Sequence, residues 1–526
     1  MRSTFMGLET SKRGLYTQQS ALYTTGHNIS NANTLGYSRQ RVNMQATSGF
    51  PGVGINAGTM PGFLGTGVEA GSIQRIRDGF VDKQYRDESN KLGYWESQTK
   101  AISQMEDVLA EPSKYGLQQS LSDFWQALQT LATNPENGGA RAVVVERGVA
   151  VADSFKYIHK SLSEIKNNIG TEIDVSATNI NSILKQIGEL NRQISEVEPN
   201  GYLPNDLYDA RDGLLDQLAT YVPIEVSYEK TGGRALAIAE GTVTVKIKTN
   251  GEPITVVQKK EFATVSVDGV VDGEFPDPIT GFTFSGGPVA AGTGQLTVAN
   301  MQSSGELKSL VDSYGFQDAD GNVKGLYPDM LKKLDKMAEE FAKEFNKVHK
   351  GDPNGTPPSY ATDLEGKQGE DFFVSSGGII SASDIQVNIN IVKNPNKVAA
   401  SSSAPYDPAD PTTNPEVGNG DNAKKLGDAL FNKLDGLGGS SVQGFYAQTI
   451  GELGVKGEQA IKMTENSMTL LGAVSNRRDS ISSVSLDEEM TDMIRFQQAY
   501  NASARMVTVM DETLDKIING MGVVGR

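Results

Sequence analysis

The sequence predicts a mainly α-helical protein with a β insertion: long coiled-coil-like helices at both termini, a central α-helical bundle and a small β-rich outer domain. Three observations carry this expectation. Apolar residues recur every three or four positions over most of the 526 residues, the spacing that lines one face of a helix. After Pro223 the spacing drops to two, the period of a half-buried strand. Each end carries an apolar seam that has no core beside it in the sequence. The implied division is residues 1–41 with 485–526 as a terminal helical domain, 42–222 with 301–350 and 372–484 as a mainly helical body with short strands, and 223–300 as the β-rich domain, leaving 351–371 and 401–420 as loops.

The first seam is Met1, Leu8, Leu15, Leu22 and Ile29, one large residue per heptad with Phe5 extra. Gly7, Gly14 and Ala21 stand just before three of them, and small residues there permit another helix to approach closely. Two glycines also weaken the helix by about 1 kcal/mol each, so alone it is marginal. One solution is that the two chain ends pair with each other and with neighbouring subunits. An ordinary amphipathic helix folded onto its own body satisfies the same pattern, and the residues leave both open. The stretch that follows, HNISNANTLGYSRQR, suits a turn: Asn28, Asn31 and Asn33 can bond nearby backbone, and Gly36 can adopt positive φ. Tyr37, Arg39 and Arg41 are then placed to contact the next layer.

In the body, Leu92, Trp95, Ile102 and Leu109 form one seam that stops before Pro112, and Leu117, Leu121, Phe124, Leu128 and Leu131 form a second that stops at Asn134-Pro135. The longest runs from Ile180 to Val197. A shorter helix, Tyr208 to Val222, turns Leu214, Leu215 and Leu218 to a core while Asp209, Arg211, Asp212 and Asp216 decorate the rest, as a solvated face or an ion-pair network. Strands are expected at Ile224–Tyr228, Val243–Ile247 and Val265–Val267, with a hairpin at Asn250-Gly251 whose glycine takes positive φ. Leu331 to Val348 reads as helix opened by Pro328, and Ile385, Val387, Ile389 and Ile391 as one alternating strand. Helix is expected from about Asn422 to the end. Ser485-Leu486-Asp487-Glu488 fits a capping box, beyond which Met493, Phe496, Tyr500, Val507, Met510, Leu514, Ile517 and Met521 hold a seam broken only at Ser503.

Composition excludes several classes. A net charge of -17 disfavours nucleic acid and acidic membrane surfaces as partners, and no run approaches the roughly 20 apolar residues of a membrane span. Zero Cys removes disulfides, thiol catalysis and thiolate metal sites; it suits an exported chain, and a Cys-poor cytosolic one as well. The N-terminus lacks a Sec-type apolar region. His27, His159 and His349 are scattered and form no HExxH pair. Asp318-Ala319-Asp320-Gly321-Asn322 starts like a calcium loop, but Val323 fills the required Gly position. Gly65-Thr66-Gly67 lacks a third glycine at dinucleotide spacing. No catalytic, cofactor or metal site is therefore expected. The alternative is an extracellular binding or hydrolytic protein with its activity in residues 223–300 or 351–421.

Asn28-Ile29-Ser30-Asn31-Ala32-Asn33-Thr34-Leu35-Gly36-Tyr37 resembles the N-terminal motif of bacterial flagellar rod, hook and hook-associated proteins, NNIANANTPGY, with His27 in place of the first Asn and Leu35 in place of Pro. Tyr37-Ser38-Arg39-Gln40-Arg41, Leu207 through Leu218, and Leu486 through Tyr500 are similar to segments of the FlgK family of hook-associated proteins, and Val398-Ala399-Ala400-Ser401 and Gly420-Asp421-Asn422 match it more weakly. The resemblance implies a non-enzymatic adaptor without cofactors, exported unfolded by the flagellar type III system to an extracellular hook–filament junction. It further implies terminal helices that form an inner tube, and four kinds of partner: further copies of the chain, the hook protein, hook-associated protein 3, and an export chaperone on the C-terminal helix. Subunit contacts are expected at Leu8, Leu15, Leu22, Ile29, Asn31, Asn33, Gly36 and Tyr37, and at Met493, Phe496, Tyr500, Val507, Met510, Leu514 and Ile517.

Overall fold

The chain enters through helix α1 (Phe5–Ser30) and turns into an antiparallel hairpin of strands β1 (Gln40–Ala46) and β2 (Val68–Arg75). It then runs into the body along helix α2 (Gly79–Leu109). The structure is a computed structural model and describes residues 5–50, 65–109, 116–270, 275–290, 292–318, 320–354, 359–407 and 415–520. Met1, Pro112 and Met521 of the seams above lie outside these residues.

Helices α3 (Leu117–Thr133), α4 (Gly138–Val197) and α5 (Asn205–Tyr221) begin the body. The spine is α4, whose 60 residues span about 90 Å at 1.5 Å per residue. Asn137 starts it by accepting from the amides of Gly139 (2.8 Å) and Ala140 (3.3 Å), so the helix opens far ahead of the Ile180 seam. Val144, Val151, Phe155, Leu162, Ile169 and Ile173 continue the buried face back to that cap. Their β-branched and glycine neighbours have poor helix propensity, which tertiary burial overrides.

The β-rich part packs on the second half of α4. Strands β3 (Ile224–Glu229), β4 (Thr242–Ile247), β5 (Ile254–Gln258) and β6 (Glu261–Phe262) form one antiparallel sheet, and β7 (Thr264–Val267), β8 (Gly281–Ser285) and β9 (Gln295–Thr297) a second. Two asparagines of α4 act as surrogate strand neighbours. Asn191 donates to Val243 O (2.9 Å) and accepts from Val243 N (3.0 Å); Asn181 does the same for Val265 (2.9 and 2.6 Å). The β4–β5 hairpin exists, but its loop is longer than a two-residue turn and Gly251 does not take positive φ. Thr249 Oγ1 instead accepts the Gly251 amide at 3.0 Å.

Helices α6 (Glu306–Tyr314) and α7 (Leu326–Lys350) return to the bundle, with Pro328 in the first turn of α7. The expected strand over Ile385–Ile391 is a correction: only Gln386–Val387 pairs as strand, and the chain then coils into α8 (Ile389–Lys393) because Asn388 caps it by accepting the Asn390 amide at 3.0 Å. The C-terminal helical region is likewise three helices, α9 (Asp421–Ala429), α10 (Val442–Ser482) and α11 (Leu486–Gly520). Gly438 and Gly439 at φ 65° and 77° redirect the chain before α10, which Ser441 caps by accepting the Gly444 amide. Extended Ser483 (ψ 159°) ends it. At the heart of the body Phe124, Phe155, Phe341, Phe345, Phe372 and Phe373 are buried, with ring centroids 5.2 Å apart for Phe124–Phe345, 6.1 Å for Phe155–Phe341, 5.0 Å for Phe341–Phe373 and 4.9 Å for Phe372–Phe373. No helix among the described residues is long and apolar enough to cross a membrane.

Candidate assembly site at the paired chain ends

Helix α1 lies along α11, and the two form a rod outside the body. A Cβ on Gly7 would come within 2.7 Å of the Met510 methyl, and one on Gly14 within 3.2 Å of Ser503 Oγ. The single polar interruption of the α11 seam thus sits opposite a glycine. Leu8, Leu15, Leu22 and Ile29 are half-buried, as are Met493, Phe496, Tyr500, Val507, Met510 and Leu514, while Ile517 is exposed. The fully buried face of α1 is a different one: Thr17, Ala21, Thr24, Thr25 and Asn28, with Thr17 Oγ1 donating to Val68 O in β2 at 3.1 Å. Large apolar groups remain on the outside of the rod, among them Tyr23 (81% exposed), Phe5, Tyr16, Met490, Ile494 and Ile518.

Where α1 ends, Asn28 closes a hub. Its amide nitrogen donates to Gln40 O (2.8 Å) and to the Glu489 carboxylate (3.0 Å), and its oxygen accepts from Gln40 N (3.0 Å) and the Tyr37 hydroxyl (2.8 Å). All four positions of the side chain are filled. Glu489, 2% exposed, also takes Arg39 Nε at 2.7 Å, and the Arg39 amide donates to Ser482 O at 2.8 Å. Glu488, expected to reach back to Ser485, gives a carboxylate oxygen to Arg39 Nη1 at 2.6 Å instead. The hub therefore fastens the turn after α1 to the α10–α11 joint. Burial, followed by the charges of Asp206, Asp209 and Glu489, pushes the Tyr37 phenol well above its ordinary value, so it stays a donor. Of the other motif residues, Asn31 bonds back to His27 O at 3.0 Å and Gly36 takes φ 81°, whereas Asn33 and Leu35 are exposed.

Beneath the hub, Asp209, Arg211 and Asp212 of α5 are buried and Asp216 is half-buried, which corrects the solvated-face alternative and leaves the ion-pair network. Five arginines, Arg75, Arg77, Arg86, Arg211 and Arg478, meet five carboxylates, Asp82, Asp209, Asp212, Asp216 and Glu240. Asp212 takes Arg75 (2.9 Å), Arg77 (2.9 Å) and Arg86 (3.3 Å). Burial alone would raise its pKa, but Arg77, Arg75 and Arg86 outweigh that and hold the carboxyl well below the ordinary range. Asp209 goes the other way: burial lifts it above the ordinary value against the pull of Arg75 and the Ser38 amide. Arg478 spans α10 to α5, bonding Asp216 at 2.7 Å while its guanidinium lies 3.7 Å from the centre of the Tyr85 ring. Sequence reasoning missed Arg75, Arg77, Arg86, Gln40 and Glu489 as members of this site. The available signal was α5 itself, whose Asp209, Asp212 and Asp216 recur at three-four spacing and so need cations from elsewhere.

The likenesses to known proteins identify the chain as a structural component of the bacterial flagellum. Residues 102–373 match the family described as the flagellar hook-associated protein FlgK helical domain, and residues 478–520 match the flagellar basal body rod FlgEFG protein C-terminal family. The chain is 45% identical to flagellar hook-associated protein 1 of Bacillus subtilis over the full length of both, and 26% identical to that of Salmonella typhimurium over 96% of this chain and 98% of the relative. Its fold is similar to the solved structure of the flagellar hook junction protein FlgK from Burkholderia pseudomallei, at a TM-score of 0.59 and 14% identity, covering 76% of this chain and 100% of that one. The chain belongs to the FlgK family of flagellar hook-associated proteins.

Proposed function

We propose that this protein is an adaptor that polymerises between the hook and the next junction protein below the filament, with the α1–α11 rod as its assembly element. The observation that carries this reading is a rod that joins both chain ends yet leaves Phe5, Tyr16, Tyr23, Met490, Ile494 and Ile518 uncovered. Surface of that kind on a chain of net charge -17 is what a partner subunit would bury. The partners are further copies of the chain, the hook protein and hook-associated protein 3. Export through the type III apparatus precedes assembly, and a chaperone shields the exposed apolar side of α11 until then. Deleting residues 511–526 is expected to leave a soluble, folded body and to abolish filament attachment in cells. Normal filaments on cells carrying only that truncation would overturn the reading.

A further inference from the structure

Residues 398–401 form a buried strap in the body, held by side chains along Val398 and Ala399 and by backbone beyond, where Ser401 and Thr362 exchange amide hydrogen bonds of 3.2 and 2.9 Å. Ala399 N donates to His349 Nε2 at 2.9 Å, Asn422 Nδ2 donates to Ala399 O at 2.7 Å, and Arg141 Nη1 donates to Val398 O at 2.5 Å. The amides of Asn422 and Ala423, in the first turn of α9, both donate to Ala400 O at 3.1 Å. Val398, Ala399, Ala400 and His349 have no exposed surface, and Arg141 has 1%. The strap thus ties α9 to the start of α4 and the end of α7.

The geometry allows His349 one protonation state. Glu370 O, 2.6 Å from Nδ1, can only accept, so Nδ1 carries the hydrogen; Ala399 N–H can only donate, so Nε2 must present a lone pair. A second proton would aim one N–H at another. The charged groups around the ring do not welcome it either. Arg141 of α4 opposes a positive charge, while the favourable carboxylates, Glu370 and Asp371, are engaged by Lys397 (3.1 Å) and by Lys350 of the same helix (3.0 Å). The rings of Phe345 and Phe372 also pack against the imidazole.

We propose that His349 is an acid-sensitive clasp: its protonation releases residues 398–401 and unfastens α9 from the bundle while the terminal rod stays intact. Burial lowers the imidazole from 6.5 to about 4 in the closed state, so opening should grow about 50-fold between pH 7 and pH 4.5.

Hydrogen exchange corrected for intrinsic rates tests this on the full-length protein. Peptides covering residues 396–407 and 418–426 should lose protection by about that factor, while residues 486–500 keep theirs. The His349→Gln variant, whose amide can both donate and accept without gaining charge, should hold the same peptides protected at both pH values. Flat protection in the native chain, parallel loss in the rod, or equal loss in H349Q would each overturn the proposal. A second readout needs no variant. With only three histidines in the chain, carbon-13 histidine NMR should show one imidazole staying neutral down to about pH 4, and three titrations near pH 6.5 would refute the clasp.

Discussion

The body and the rod are both helical, yet they are stabilised in opposite ways. The body buries Phe124, Phe155, Phe345, Phe372 and Phe373 to 1% exposure or less, whereas Ala21 is the only apolar residue described on α1 and α11 that is buried to that degree. A body with such a core should reach its structure without partners. The rod, in contrast, keeps its largest side chains half-covered, and its main fixed points are polar, at Asn28, Arg39 and Glu489. With the rod as the proposed assembly element, stability and assembly would be separated along one chain, so a substitution should affect one without the other.

The largest expected effect is in the body. Phe345→Ala should cost about 3–5 kcal/mol in urea-monitored unfolding, while Leu15→Asp should leave that transition in place and impair assembly in cells. A collapsed melting curve for Leu15→Asp would break the distinction. Next comes the network between the two regions. Asp212→Asn removes the shared partner of three arginines and should cost about 3 kcal/mol. The sign with pH follows from the depressed Asp212 carboxyl: its contribution is complete above about pH 4 and fades as acidification passes its lowered folded value. Asp209, raised by burial, acts oppositely, contributing most at low pH and losing that contribution as pH rises through its folded value. The variant should therefore show a flatter acid limb than the native protein.

Smaller effects sharpen the contrast. Glu489→Gln should cost about 1–2 kcal/mol locally, visible as faster amide exchange around residues 482–490 with the body unchanged. The smallest concern two glycines. A Cβ on Gly93 would meet the Thr220 carbonyl oxygen at 2.6 Å, fixed backbone, whereas one on Gly7 would meet only the movable end of Met510. Gly93→Ala should lower the midpoint of unfolding. Gly7→Ala should be neutral or stabilising by up to about 1 kcal/mol, measured by thermal circular dichroism.

Much of this fold was legible because burial and helical period coincide. The seams at Leu92–Leu109 and Leu117–Leu131 end where α2 and α3 end, and Leu8 through Ile29 and Met493 through Leu514 mark the half-buried surfaces of the rod. The first part of α4 was not legible, since its valines and glycines carry a weak local signal and only contact with α3 and α7 makes them helical. Ile389 and Ile391 misled for the reverse reason: the alternation is present, but one side-chain cap at Asn388 decides the backbone. In the site, Asn28 was visible as a turn residue but not as a hub, because Glu489 lies 461 positions away. Separations of 126 and 135 positions likewise hid Arg86 and Arg77 as partners of Asp212. A charge pattern announces that cations are needed and is silent about which segment brings them.

The rod is joined to the body by two covalent strands of chain, α2 entering and α10 leaving, packed along each other, with Arg478 of α10 lying over the Tyr85 ring of α2. A single connection is a swivel. Two side by side, clamped below by the network of five arginines and five carboxylates, resist twisting about their common axis. Torque applied at the chain ends would then pass into the 60-residue spine of α4 through α5, which packs on both α2 and α4, and the molecule would turn as one stiff lever.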